Sequence, residues 1–411
     1  MNTPPADTSA APPLPPTVRV HGGPAERGRQ YGRAAAGRVQ LSLAHYERVY
    51  ATFAGFTWRE AADLAERFVP VIDAFDPRLL EEIQGVADGA GARFADILAL
   101  NLRTEILFSG KARKLAADGT GSDSGLPGRG ECTSFCDLRG PRTLAGQNWD
   151  WIPFAHGTIV VLEAAPSTGP RWVSVVEAGL LAKFGVNAAG LTVLTNALVT
   201  SIDRGEPGMP YHLLLRALLD AGSVREGEEL LRAAPRASSA NYLLVQAGRG
   251  IDVEARPGGP EAIGVRRAGP GGLLVHANHF DALDPADALD HGPRVMQDTV
   301  FRRERALELA ASTPEPSVAG WHRILADHAG HPDSLCCHPN PRDAELDRGS
   351  TVASVIVEPE DAVLHLALGH PCSTPRRVLD CRGFFAGTGD RVPVPAETAA
   401  TPAQADSGTD S

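Results

Sequence analysis

A chain of 411 residues that is 43% hydrophobic has the material for a large buried core, as one big domain or two ordinary ones, and its formal net charge of −11 argues against a nucleic-acid partner. No apolar run reaches the roughly 18 residues of a membrane span, and six cysteines are too few for a disulfide scaffold and suit a reduced, cytoplasmic setting. Abundant Ala, Arg, Gly and Pro with few Lys fits a bacterial, GC-rich source. In chain order, residues 1–16 are rich in Pro, Ala and Thr, lack the basic-then-apolar order of a signal peptide, and are expected to be a disordered arm. Apolar residues at three- and four-residue spacing predict helices over 24–50, 58–69, 79–90 and 94–108. Residues 111–131 then hold Gly119, Gly121, Gly125, Pro127, Gly128 and Gly130 among small polar residues, the composition of an exposed loop.

At Cys132 the texture changes to short β runs. Thr133, Ser134 and Phe135 favour a strand, Gly140-Pro141-Arg142 supplies a turn, and 144–151 can return as a second strand, so that a hairpin brings Asp150 near Cys132. Further strands are expected over 158–163, 171–177, 191–195, 241–246, 272–277, 354–358 and 362–368, with helices over 211–221, 224–234 and 294–311 between them. Residues 389–411 read as a disordered tail.

The chemistry concentrates on Cys132. If the chain is cut between Glu131 and Cys132, the new α-amine, which titrates at about 7.7–8.0 in model compounds, sits on the same residue as the thiol. That amine can take the thiol proton, so no separate histidine is required, and a carboxylate within reach would orient it. Read without such a cut, Cys132 is a small, buried apolar residue in a strand.

Cys132-Thr133-Ser134-Phe135-Cys136 followed by Gly146-Gln147-Asn148-Trp149-Asp150-Trp151 resembles the signature of the isopenicillin N acyltransferase family, acyl-CoA:6-aminopenicillanate acyltransferase-like autoproteolytic cysteine peptidases within the N-terminal nucleophile hydrolases. The resemblance continues upstream in Asn101-Leu102-Arg103-Thr104-Glu105 and in Gly85 to Gly91. Downstream it runs through Glu177-Ala178-Gly179, Gly185-Val186-Asn187, Asn196-Ala197-Leu198, Ala237-Ser238-Ser239-Ala240, Val275 to His279 and Asp347 to Thr351. It spans roughly residues 18 to 386.

The resemblance implies an α+β fold, a four-layer αββα sandwich with a mainly helical N-terminal segment. It divides the chain into a helical segment 17–131 released by self-cleavage and a catalytic segment 132–388, the two fragments remaining associated. Cys132 matches the nucleophile, Asp150 the active-site aspartate, Asn278 the asparagine and Arg348 the arginine. Asn278 can donate to the oxyanion of acyl transfer, and Arg348 can hold Asp150 or a substrate carboxylate. The implied activity is acyl transfer or amide hydrolysis on a small N-acyl amine or an acyl-CoA through an acyl-cysteine, with no cofactor or metal beyond acyl-CoA as co-substrate. Glu131 departs from the glycine found before the nucleophile in the best-known family member, and its Cβ and charge bear on the backbone distortion that an N-to-S acyl shift needs.

Two other readings come from different classes. His328, His331, Cys336, Cys337 and His338 crowd into one segment, which suggests a metal-dependent hydrolase. Against it, adjacent cysteines cannot easily face one ion, and the spacing fits no common zinc module. An unprocessed binding protein that kept the fold is the other.

Overall fold

The computed structural model describes residues 15–118, 132–283 and 288–387. The arm before residue 15, residues 119–131 with Glu131, and the tail beyond 387 lie outside the described residues, so the expectations for them are not addressed by the fold.

The chain opens with β1 (Thr17–Gly22) and then builds α1 (Pro24–Ala34), α2 (Ala36–Val49), α3 (Trp58–Glu66), α4 (Val69–Phe75), α5 (Pro77–Ala90), α6 (Phe94–Asn101) and α7 (Arg103–Asp118). Local chemistry sets several of these boundaries. Thr57 and Glu60 close a capping box at the start of α3, and Asp76 caps α5 ahead of Pro77, which occupies a first-turn position where its missing N–H costs nothing. The helix expected over 24–50 breaks at Ala35 and closes in a π turn, Tyr50–Ala54, and the one expected over 94–108 breaks at Leu102. Gly28 and Gly85 meet where α1 crosses α5. A Cβ on either would run into the other helix's backbone, so these glycines permit the close crossing, and the helix ends only at Gly91 (φ 65°).

From Cys132 the strands follow: β2 (Thr133–Asp137), β3 (Leu144–Trp151), β4 (Ile159–Pro166), β5 (Trp172–Glu177), β6 (Phe184–Asn187) and β7 (Thr192–Ala197). After α8 (Tyr211–Leu218) and α9 (Val224–Ala233) come β8 (Ala240–Gln246), β9 (Arg249–Ala255), β10 (Ile263–Ala268) and β11 (Leu273–His276). The helix expected over 294–311 is two pieces, α10 (Gly292–Val295) and α11 (Thr299–Ala311), and α12 (Val318–Leu325) follows. The chain closes with β12 (Ser350–Glu358), β13 (Val363–Ala367), β14 (Arg377–Asp380) and α13 (Arg382–Ala386). Strand β9 was hidden in the sequence because Asp252 and Glu254 break its apolar run, yet both carboxylates are fully buried and paired.

One sheet has eight strands in the order β1-β4-β5-β6-β7-β8-β9-β10, and the other has six in the order β11-β2-β3-β12-β13-β14. Period-two alternation sorts the side chains into layers. Val160, Leu162 and Ala164 of β4 face a core shared with α1 to α9, whereas Ile159 and Val161 face a second core between the sheets. A third core packs Phe135 and Ile356 of the six-stranded sheet under Ala306 and Ala310 of α11 and Trp321 of α12. The order is helix, sheet, sheet, helix, the α+β arrangement expected, and because both faces of each central strand are buried the strands read as near-continuous apolar runs. No helix among the described residues is long and apolar enough to cross a membrane.

Candidate active site

The expected hairpin is present: β2 and β3 pair antiparallel with Thr133 opposite Asn148. Cys132 immediately precedes β2, is 2% exposed, and lines a cavity of about 530 Å³, counted out to its open mouth, together with Asp150. Its backbone carbonyl is held from two sides, by Asn196 Nδ2 at 2.7 Å and by Arg302 Nη1 at 3.1 Å. Asn196 is itself oriented, since its Oδ1 accepts from Ser134 Oγ at 2.6 Å.

Asp150 lies on β3 opposite Thr351 of β12 and is fully buried. Thr351 Oγ1 donates to Asp150 Oδ1 at 2.6 Å and accepts the Cys337 backbone N–H at 2.9 Å. Arg302 supplies the positive charge nearby. Burial alone would weaken its hold on the proton, but the carboxylates of Asp298 and Asp150 outweigh that effect, and the guanidinium stays charged.

Asn278 follows β11 and is also fully buried. Its Oδ1 accepts from Arg302 Nη2 at 2.9 Å, and its Nδ2 donates to the carbonyl of Ala197, a residue on the cavity wall, at 2.9 Å. Arg348 is placed differently: its Nε donates to the Asp343 carbonyl at 3.1 Å and its Nη2 to the Pro341 carbonyl at 3.3 Å. Thus Cys132, Asp150 and Asn278 gather around Arg302, while the Arg348 guanidinium braces its own loop. Sequence reasoning missed Arg302. Its signal was a cation on an apolar helical stripe, because the buried residues of α11 are Thr299, Arg302, Ala306 and Ala310.

Several of the other motif segments meet at the cavity wall. Arg103 pairs with Glu177 in a buried ion pair, its guanidinium 4.7 Å from the centre of the Trp151 ring. Glu105 accepts from the Tyr211 N–H at 2.9 Å and from Ser238 Oγ at 2.6 Å, and burial raises its pKa against those bonds. Lys183 lies over the rings of Trp149 and Tyr211 at 5.3 and 5.7 Å. His212 is fully buried on the cavity wall, and neither ring nitrogen finds a partner among the described residues. Burial, then Arg103 and Lys183, push its pKa well below the ordinary value, so the imidazole is neutral.

Residues 328–338 take no part in lining the cavity. Two groups of possible metal ligands occur among the described residues: His328, Cys336, His338 and Cys372, and the buried Asp252, Glu254 and His276. The second is already satisfied internally, by the Arg266–Asp252 and His276–Glu254 pairs. Strand β11 ends at His276, and the ring centres of His276 and His279 lie 6.5 Å apart.

The profile of the family described as acyl-coenzyme A:6-aminopenicillanic acid acyl-transferase matches residues 138–373. The 40 kDa form of acyl-coenzyme A:6-aminopenicillanic-acid-acyltransferase of Emericella nidulans is 26% identical over 359 residues, 86% of this chain and 92% of that protein. Among solved structures, penicillin V acylase from Agrobacterium tumefaciens is 15% identical, with 61% of this chain and 86% of that chain covered and a TM-score of 0.37. A mutant of conjugated bile acid hydrolase from Clostridium perfringens is 14% identical, covering 65% of this chain and 97% of that chain with a TM-score of 0.43.

Proposed function

Because the chain belongs to the acyl-coenzyme A:6-aminopenicillanic acid acyl-transferase family, we propose that it is an N-terminal-cysteine acyltransferase or amidohydrolase with Cys132 as the nucleophile. The observation that carries this reading is the position of Cys132: it stands at the head of β2, on the wall of a cavity it shares with the buried Asp150.

The nucleophile is freed in a first reaction. The Cys132 thiol attacks the Glu131 carbonyl, the peptide bond passes to a thioester, and water hydrolyses the thioester to leave a carboxylate on Glu131 and an α-amine on Cys132. In turnover that amine accepts the thiol proton, and the thiolate attacks the acyl carbon of the substrate. The tetrahedral oxyanion collapses, the leaving amine or thiol takes up the proton, and an acyl-cysteine remains. Water or an acceptor amine then takes the acyl group. Asp150, fixed by Thr351, orients the Cys132 amine, and Asn278, fixed by Arg302, stands as an oxyanion donor.

The cavity suits a small N-acyl amine or an acyl thioester. Leu107, Phe108 and Val199 offer an apolar wall for the acyl chain, and the neutral His212 offers a polar atom to the head group. Intact-mass trapping with a panel of N-acyl amines and acyl-CoAs tests the reading. The expected result is an adduct of acyl mass on the Cys132 fragment that is absent from Cys132→Ala. Turnover by Cys132→Ala at the wild-type rate would refute it.

A further inference from the structure

Four side chains from two separate stretches converge near the surface: His328, Cys336 and His338 after α12, and Cys372 after β13. One ligand atom from each lies within 4.8 Å of all the others. His338 Nε2 is 3.1 Å from His328 Nε2, 3.4 Å from Cys336 Sγ and 3.5 Å from Cys372 Sγ. A single ring nitrogen has one proton or one lone pair to offer, so hydrogen bonding explains at most one of these approaches. A shared metal ion explains all three. Tetrahedral zinc with Zn–S of about 2.3 Å and Zn–N of about 2.0–2.1 Å requires ligand–ligand edges of about 3.3 Å between nitrogens and about 3.5 Å between nitrogen and sulfur.

We propose that His328, Cys336, His338 and Cys372 form a structural zinc site that anchors the 336–338 segment behind the active-site carboxylate. Two thiolates and two imidazoles make a donor set that favours zinc over magnesium or calcium. Four protein ligands complete the tetrahedron and leave no open position, and none of the four lines the cavity, so the ion is structural and not a catalyst. Binding releases the two thiol protons to solvent. His328 and Cys372 are exposed, which gives the ion a route in. The difficulty of adjacent cysteines disappears, because Cys336 turns toward the cluster while the Cys337 backbone N–H turns to Thr351, and the fourth ligand comes from outside the segment. The route to the active site is therefore short: Cys336 and His338 clamp Cys337, Cys337 N–H fixes Thr351 Oγ1, and Thr351 fixes Asp150. This positioning rests on the role proposed for Asp150, whereas metal binding does not.

Metal analysis of the full chain, purified reduced and without a metal-affinity step, is expected to find about one zinc per chain. Cobalt substitution should give thiolate charge-transfer and tetrahedral ligand-field bands. Cys372→Ser, a change at an exposed position outside any strand, should lose the metal and keep the far-UV spectrum of the folded protein. Chelation should lower the thermal midpoint by several degrees, and zinc but not magnesium should restore it. A reduced chain that neither carries nor takes up zinc, unchanged stoichiometry in Cys372→Ser, or a Cys336–Cys372 disulfide in the fully active protein would overturn the site. For the positioning, chelation should lower kcat with little change in KM. A normal stoichiometry with unchanged kcat in the stripped enzyme overturns the link to Asp150 alone.

Discussion

Arg302 donates from Nη2 to Oδ1 of Asn278 at 2.9 Å, and this bond decides which end of the Asn278 amide carries its N–H groups toward Ala197 on the cavity wall. The same guanidinium holds the Cys132 carbonyl through Nη1. One planar cation thus sets the relative position of the proposed nucleophile and the proposed oxyanion donor, a task that a point charge on a flexible stem cannot perform.

Asn278→Ala is accordingly expected to lower kcat by about 10²- to 10³-fold, the usual cost of one oxyanion donor. Arg302→Lys, which keeps the charge and loses the fork, should lower kcat by about 10- to 100-fold, the equivalent of one or two charge-assisted hydrogen bonds. Steady-state kinetics on a substrate found by acyl trapping, with circular dichroism as the fold control, checks both. Wild-type kcat in Asn278→Ala would remove it from the site.

Thr351→Val removes the hydroxyl that donates to Asp150 while keeping the side-chain shape. The expected loss is about 10- to 100-fold in kcat, from a hydrogen bond to a charged group worth about 1.5–3 kcal/mol. Asp150→Asn should be more severe, since it removes the negative charge proposed to orient the Cys132 amine. The pH profile of kcat/KM separates orientation from bulk: Thr351→Val should shift its limb, and a variant that merely perturbs packing should not.

The chain is expected to appear as fragments 1–131 and 132–411 under denaturing conditions, with Cys132→Ala remaining whole. Under native conditions the fragments should elute together, because β1 is a strand of the eight-stranded sheet and Arg103 is buried against Glu177. If the Glu131 side chain slows the acyl shift, Glu131→Gly will process faster than wild type. If Glu131 assists it, Glu131→Gln and Glu131→Gly will both accumulate precursor. A time course by intact mass distinguishes these outcomes, and active enzyme without a Cys-Thr-Ser N-terminus would exclude self-processing at this bond.

His276 and Glu254 form a buried pair with a pH signature. Burial opposes the His276 cation, but Asp252 and Glu254 outweigh it and raise its pKa, so its contribution is fully present below about 6.5 and is lost as pH rises through the folded value. Burial likewise opposes the Glu254 carboxylate, but His276 and the N–H groups of Leu283 and Ala282 lower its pKa, so its contribution is present above about 4.3 and is lost as pH falls through the folded value. The thermal midpoint should therefore fall on both sides of this window. Glu254→Gln should flatten the acid limb and His276→Gln the alkaline limb, as measured by thermal melts across pH.

The sequence alone determined those features that local chemistry decides. Strand-favouring residues after Cys132 and the turn at 140–142 placed the β2–β3 hairpin, apolar spacing placed most helices, and the ordered motifs picked out Cys132, Asp150 and Asn278 as residues that belong together. Strand β9 and Arg302 escaped because a buried charge looks like a surface charge until its partner is known, and those partners come from other elements. Arg348, matched by the resemblance to a site arginine, donates to the carbonyls of Asp343 and Pro341 in its own loop, a contact the sequence did not indicate. The group of His328, Cys336, His338 and Cys372 shows the same limit from the other side. Three of its members were visible as a crowded segment, but the fourth arrives only when β13 lays its following turn beside them, a contact between distant parts of the chain that no local pattern encodes.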